Sequence, residues 1–213
     1  SRREADKLIE EGRVKVNGKV VANLATKVSN NDEVEIGRKK IKEDKNKIST
    51  VIVYNKPKGE IVSKKDPQGR RTIYDSLDHK YKHFLSVGRL DYASEGLLLL
   101  SDSVNIVDAL MHSDLERVYK IKVNGVITKP VEEAMQHGLE IEDATSGAFK
   151  TSKIKSMTFS PFLAYDIQTN GEKFSKIKVV ISEGKNRELR RFFAHFGLDV
   201  LDLKRLEYGG ISL

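Results

Sequence analysis

The chain has 213 residues, of which 38% are hydrophobic and none is cysteine; its 38 Lys and Arg outnumber its 31 Asp and Glu, for a net charge of +7. The absence of cysteine excludes disulfides and thiolate metal sites and fits a reducing, cytoplasmic location. Apolar runs such as Leu97–Leu100 are far short of the ~20 residues of a membrane span, and no segment has the form of a signal peptide.

The length exceeds a typical single domain, so a small unit beside a larger one is expected. Residues 1–36 read as the small unit. Ser1 followed by Glu4 has the form of a helix capping box, and Ala5, Leu8 and Ile9 make an apolar stripe at helical spacing. Gly12 is a natural helix stop. Val14–Val16 and Lys19–Val21 flank Asn17-Gly18, a pair suited to a type I′ hairpin turn. Val34 and Ile36 suggest one more short strand. Residues 37–48, GRKKIKEDKNKI, are densely charged and nearly free of apolar residues, so a linker is expected there. The domains are therefore drawn at 1–48 and 49–213.

In the larger unit, Val51–Tyr54, Phe84–Val87, Val118–Val123, Ala164–Thr169 and Lys176–Ser182 are rich in β-branched and aromatic residues and read as strands. Val104–Met111, Pro130–His137 and Asn186–Phe196 have helical periodicity. Pro130 suits a first helical turn, and Gly138 and Gly197 suit helix ends. Strands outnumber helices and do not alternate with them strictly. An α+β fold with a mixed, mainly antiparallel sheet follows.

Four segments carry residues able to do chemistry. GRLDYASEGLLLLSD, Gly88 to Asp102, sets Arg89 and Asp91 on a loop between two apolar elements, where a carboxylate is held in fixed geometry. EGKNRELRRFFAHFG, Glu183 to Gly197, puts Leu189, Phe192, Phe193 and Phe196 on one apolar face and leaves Arg187, Arg190 and Arg191 on the other. Gly184-Lys185-Asn186 lies at the N-terminus of that helix, where an anion is favoured, and Lys185 is suited to keep a carboxylate charged. An ordinary amphipathic helix with a solvated basic face is the commoner situation for such a pattern. In ERVYKIKVNG, Tyr119 shares a face with Ile121 and Val123, either as a core ring or as a platform for a base. In YNKPKG, Lys56 and Lys58 flank a turn and can meet phosphate or end a hairpin. Five histidines are present, but only His79 and His83 have helical spacing and no glutamate completes a zinc-protease pattern, so no metal site is expected.

In this order, YNKPKG, GRLD with EGLLLL, RVYKIKV, EGKNRELRR and LKRLEYG closely resemble the RsuA/RluB-type family of ribosomal RNA pseudouridine synthases. SRREADKLIEEGRVKVNGKVV resembles the S4 RNA-binding domain that precedes the family's catalytic domain. Met111–Ser113 and GLEIEDATSGAFKT resemble the large-subunit branch. The resemblance implies Asp91 as the essential aspartate, Tyr119 as the ring that packs on the uracil, and Lys185 as the cation paired with Asp91. It also implies Arg89 as an aid to the flipped nucleotide and Leu189 as the pocket floor. Arg2, Arg3, Lys7, Lys56, Lys58, Arg187 and Arg190 are the cations expected to hold RNA; the first 48 residues alone carry 13 cationic against 9 anionic side chains. Ala93-Ser94 stands where the family has Asp-Thr or Asn-Thr, which keeps a hydroxyl but loses a polar side chain. The family's S4 domain starts with a helix before Ser1 and its C-terminus runs past Leu213, so a longer parent protein is expected.

The implied reaction detaches uracil from ribose at N1 and rejoins it at C5, an isomerisation needing no cofactor. A carboxylate can attack the sugar or the ring, or assist proton removal. The uridine must leave its stack, at a cost of a few kcal/mol. Ribosomal RNA or an assembling subunit is the expected partner, met by a monomer. A binding protein without turnover, and a hydrolase using Glu95 as second carboxylate, remain the alternatives.

Overall fold

The computed structural model describes residues 2–41 and 48–213, without the Arg2 side chain; the expected Ser1 cap and residues 42–47 of the expected linker lie outside the described residues. The chain divides into two compact units between Ile48 and Ser49.

The first unit has a helix α1 (Arg2–Glu10) and strands β1 (Val14–Val16), β2 (Lys19–Val20), β3 (Val34–Ile36) and β4 (Lys39–Ile41). These strands form an antiparallel sheet in the order β2-β1-β3-β4. Asn17 and Gly18 have φ of 50° and 78°, the left-handed pair that a type I′ turn requires. Strand β4 corrects the start of the expected linker. Gly37 and Arg38 make a tight turn, and Lys39, Lys40 and Ile41 pair with β3 while staying exposed. Backbone pairing rather than side-chain burial holds this edge, so no apolar pattern marks it. Val14 alone is buried among the described residues of this unit, a thin core for an autonomous fold.

The second unit contains β5 (Val51–Lys56), α2 (Ile73–Ser76), β6 (Leu85–Ser86), β7 (Glu95–Ser101), α3 (Val104–Met111), β8 (Arg117–Val123) and α4 (Lys129–His137). It continues with β9 (Leu139–Ile141), β10 (Met157–Phe159), β11 (Ala164–Thr169), β12 (Ser175–Ile181), α5 (Glu188–His195), β13 (Val200–Tyr208) and β14 (Ile211–Ser212). The main sheet runs β11-β12-β8-β13-β7-β5, with β14 on β13 and β6 on β7, while β9 and β10 form a separate hairpin. Every pairing in the main sheet is antiparallel except β13 with β7. The expected α+β class with a mixed, mainly antiparallel sheet is what the chain adopts.

One face of this sheet carries the larger core. Leu98 and Leu100 of β7, Tyr119, Ile121 and Val123 of β8 and Ile177 and Val179 of β12 pack there against Val131 and Met135 of α4 and Phe192 and Phe193 of α5. Burial of each such side chain stabilises by about 1.5–3 kcal/mol. Leu97 and Leu99 point the other way, into a smaller cluster with Val87, Val107 of α3 and Tyr208. Burial on both faces explains why β7 reads as an unbroken apolar run rather than an alternation.

The parallel β7–β13 contact is short, Lys204 opposite Glu95 and Arg205 opposite Gly96. Gly96 has φ 107°, and a Cβ there would stand 2.1 Å from the Arg205 carbonyl oxygen. Only glycine lets the two strands meet at this point. Helix α5 starts at Glu188, two residues later than the periodicity predicts, because Arg187 takes a left-handed φ of 52°.

Candidate active site

Asp91 sits in a tight turn that leads into β7. Buried Leu90 anchors the turn on one side and buried Ser94 on the other. The Ser94 amide donates to the Asp91 carbonyl at 3.0 Å. Lys56, at the end of β5, reaches the same turn from beneath: its ammonium donates to the carbonyls of Pro57 at 2.9 Å, Asp91 at 3.1 Å and Ser94 at 2.8 Å. Lys56 is 0% exposed. This corrects its expected role in holding phosphate, since a fully buried ammonium cannot meet RNA. Burial pushes its pKa down to about 8, and the charges of Glu60, Asp91 and Glu95 act in the opposite sense.

The cation on the Asp91 carboxylate is Arg187, whose Nη1 donates to Oδ2 at 2.7 Å; the Nε of Arg190 lies 3.6 Å from the same oxygen. Lys185 pairs instead with Glu183 at 2.7 Å and donates to the Thr158 carbonyl at 2.6 Å. Neither Lys185 nor Arg89 forms an ion pair with Asp91 among the described residues, which corrects the expected Lys185–Asp91 pair. The reason is the left-handed backbone at Arg187, which turns the third residue of the Lys-Asn-Arg run toward Asp91 and sends Lys185 to the hairpin β9–β10. A non-glycine residue at positive φ costs roughly 1–3 kcal/mol, and such strain clusters at functional sites. Arg187 is fixed further by its Nε, which donates to the Gly147 carbonyl at 2.6 Å, and by the Phe149 ring 4.2 Å from its guanidinium carbon.

Arg190, expected on a solvated basic face, is mostly buried. It donates to the Val200 carbonyl at 3.0 Å and to the Ser94 hydroxyl at 3.1 Å, so Ser94 uses the hydroxyl that the sequence retains there. Arg191 is 0% exposed and ties α5 to the Ala144, Ser152 and Ile154 segment through neutral acceptors. The basic face of the helix is thus largely internal. Lys58 is ion-paired with Asp202. Arg3 and Lys7 are exposed on α1, Lys7 beside Glu11 at 3.8 Å.

A cavity of about 210 Å³ opens at this turn, and Arg89, Asp91, Tyr119, Lys185, Arg187 and Leu189 all contribute to its wall. Asp91 keeps 26% of its side chain exposed, so its carboxylate is accessible from the cavity. Tyr119, buried in the core cluster, also lines the cavity. Glu95 is not on the wall.

Among the polar residues of the wall, sequence reasoning missed four: Arg117, Glu188, Arg205 and Tyr208. Arg117 donates to the Tyr208 hydroxyl at 2.9 Å, which in turn donates to the Leu110 carbonyl at 2.7 Å. Glu188 accepts from the Lys185 amide at 3.0 Å, so part of the helix N-terminus expected to attract an anion is already occupied by its own carboxylate. Burial pushes the Glu188 carboxyl up to about 7, with Glu183 adding to the rise. The LKRLEYG motif was the available signal for Arg205 and Tyr208.

Residues 50–195 match the family model described as RNA pseudouridylate synthase, and residues 1–34 match the S4 domain model. The chain is 58% identical over 213 residues to an uncharacterized RNA pseudouridine synthase of Helicobacter pylori, covering 100% of this chain and 81% of that protein. It is 35% identical over 215 residues to the ribosomal large subunit pseudouridine synthase B of Bacillus subtilis, covering 100% of this chain and 82% of that one. A crystal structure of a pseudouridylate synthase shares the fold, with a TM-score of 0.64 at 24% identity over 100% of this chain and 85% of the other.

Proposed function

This chain belongs to the RNA pseudouridylate synthase family, and on that premise we propose that it converts a uridine of large-subunit ribosomal RNA to pseudouridine with Asp91 as its catalytic carboxylate. The observation that carries the reading is the Asp91 carboxylate at the cavity wall, held by Arg187 at 2.7 Å, with the Tyr119 ring in the same wall. The RNA target is suggested by the name of the Bacillus subtilis relative, together with an S4 domain in the first unit.

The reaction breaks the N1–C1′ glycosidic bond and forms a C5–C1′ bond; C5 loses its proton and N1 gains one. Each residue has a part that its position supports. Tyr119 offers a ring to an extruded uracil, and base–aromatic stacking of about 1–3 kcal/mol offsets part of the cost of flipping. Leu189 supplies an apolar floor. Arg187 fixes the direction of the carboxylate, and its contacts with Gly147 and Phe149 keep it from swinging away. Pre-set geometry of this kind lowers the barrier because nothing need reorganise during reaction. Arg89 is exposed on the wall, and Lys185 stands on it beside Glu183, both suited to the sugar-phosphate around the target.

The test is Asp91→Asn, which keeps the shape and one acceptor oxygen but removes the charge. On a large-subunit rRNA transcript labelled with tritium at uridine C5, the variant should release no tritium while binding RNA within about twofold of the parent. Normal release would remove Asp91 from the mechanism. Intact binding without release by the parent itself would favour a pure RNA-binding protein.

A further inference from the structure

The cations that sequence reasoning assigned to RNA in the larger unit are mostly engaged elsewhere. Lys56 is buried, Lys58 pairs with Asp202, and Arg187 and Arg190 attend Asp91. The face of the main sheet opposite Tyr119 and Ile121 carries a different set. In the β8–β12 ladder, Lys120 stands directly opposite Lys178, and Lys122 directly opposite Lys176. On the other side of β8, Lys204 of β13 stands opposite Lys120. Three strands therefore align Lys178, Lys120 and Lys204 in one row, closed at its ends by Asp166 of β11 opposite Lys178 and Glu95 of β7 opposite Lys204, with Lys176 and Lys122 beside them in the next.

Like charges directly across a strand pair repel and destabilise the sheet. None of these five lysines forms an ion pair among the described residues. Lys120 and Lys176 are exposed and the other three half-exposed. The Phe174 ring, 36% exposed, lies at the edge of the second row, with the Lys122 ammonium 4.4 Å and the Lys176 ammonium 5.7 Å from its centre. The patch also adjoins the active site. Asp202, opposite Lys122 in β13, is bonded by Lys58, and its carboxyl is held below the usual range by that bond and by the charges of Lys58, Lys122 and Arg190. Arg190 in turn approaches Asp91.

We infer that Lys120, Lys122, Lys176, Lys178 and Lys204 form a phosphate-binding platform that carries the RNA strand beside the target uridine, with Phe174 as a stacking ring at its margin. The inference rests on the proposed RNA substrate. The occupant follows from charge: the five lysines outnumber the three carboxylates opposite them, Asp166, Glu95 and Asp202, and Asp202 is already bonded by Lys58, so the remaining repulsion is relieved by a polyanion whose repeating charges span several strands, and each contact releases counterions.

The experiment compares the full chain with two variants, Lys120→Gln/Lys178→Gln and Lys122→Gln/Lys176→Gln, and with their combination. The probe is the same large-subunit rRNA transcript. Each phosphate contact contributes about 0.7 to the slope of log affinity against log salt for a single strand, so the fourfold variant should lose about 3 units of slope. KM should rise while turnover at saturating RNA stays unchanged, because no replaced residue touches the cavity. Thermal midpoint should hold or rise, since repulsion is removed; a structural role for the lysines would lower it. An unchanged salt slope and KM in the fourfold variant, with the parent active, would overturn the platform and leave the reading of Asp91 standing. A parent that releases no tritium would instead refute the proposed reaction, while the salt slope still reports on the platform.

Discussion

Replacing Gly96 by alanine should damage both the fold and the reaction. The added Cβ would stand 2.1 Å from the Arg205 carbonyl oxygen and 2.8 Å from the Arg205 nitrogen, where ordinary contact begins at 3.4 Å. Strand β13 must therefore recede by 3.4 − 2.1 = 1.3 Å, and it cannot do so by a rotamer change because both atoms are backbone. The φ of 107° adds strain of roughly 1–3 kcal/mol, and overpacking adds about 1–3 kcal/mol more. The sum is about 2–6 kcal/mol, a fall in thermal midpoint of roughly 4–24 °C at some 2–4 °C per kcal/mol for a chain of this size. Turnover should fall as well, since Leu203 and Arg205 of the displaced strand line the cavity. Circular dichroism melting and tritium release read the two effects. Gly69→Ala is the control: its φ is 69°, yet a Cβ there meets nothing within 4 Å. If Gly96→Ala melted no lower than Gly69→Ala and turned over normally, the argument from strand approach would be wrong.

Lys56→Met should leave the carbonyls of Pro57, Asp91 and Ser94 without their donor, at about 1–3 kcal/mol for each that water cannot reach. Urea unfolding should show that loss, and kcat should fall more than RNA affinity; an affinity loss alone would return Lys56 to the phosphate-binding set. Glu188→Gln should alter the pH dependence of stability. The folded carboxyl titrates near 7 and the unfolded one near 4.5, so the stability it contributes is full below 4.5 and lost as pH rises through 7. The variant should gain on the parent between pH 5 and pH 8 in urea titrations, and parallel curves would contradict the buried, shifted carboxyl.

The α+β class, the strands of the large sheet near Val51, Val118, Ala164 and Lys176, and the apolar face of α5 were legible because burial on a single side leaves a regular period in the sequence. Strand β13 was not. Its register shifts between Val200 and Asp202 and again between Arg205 and Glu207, and these irregularities break the alternation that would mark it. Strand β4 escaped notice because nothing in it is buried. At the site, Asp91 and Tyr119 were visible from their motifs and strand position. The exchange of Lys185 for Arg187 turned on one left-handed backbone torsion, which residue type alone does not disclose. Lys56 looked like a surface cation because its three acceptors are main-chain carbonyls, and those are brought together only when the Asp91 turn folds over the end of β5.

Strand β13 follows both β7 and β8 in sequence, yet it occupies the middle of the main sheet between them. During synthesis β8, and the Glu95–Gly96 end of β7 that β6 does not cover, keep an unpaired edge until residues 200–208 have emerged. Without β13 the native pairings leave two half-sheets, β11-β12-β8 and β7-β5, that share no ladder. Such edges invite pairing with other chains. Asp91, just before β7, and Tyr119, on β8, therefore lie on strands that are joined in the sheet only through residues 200–208.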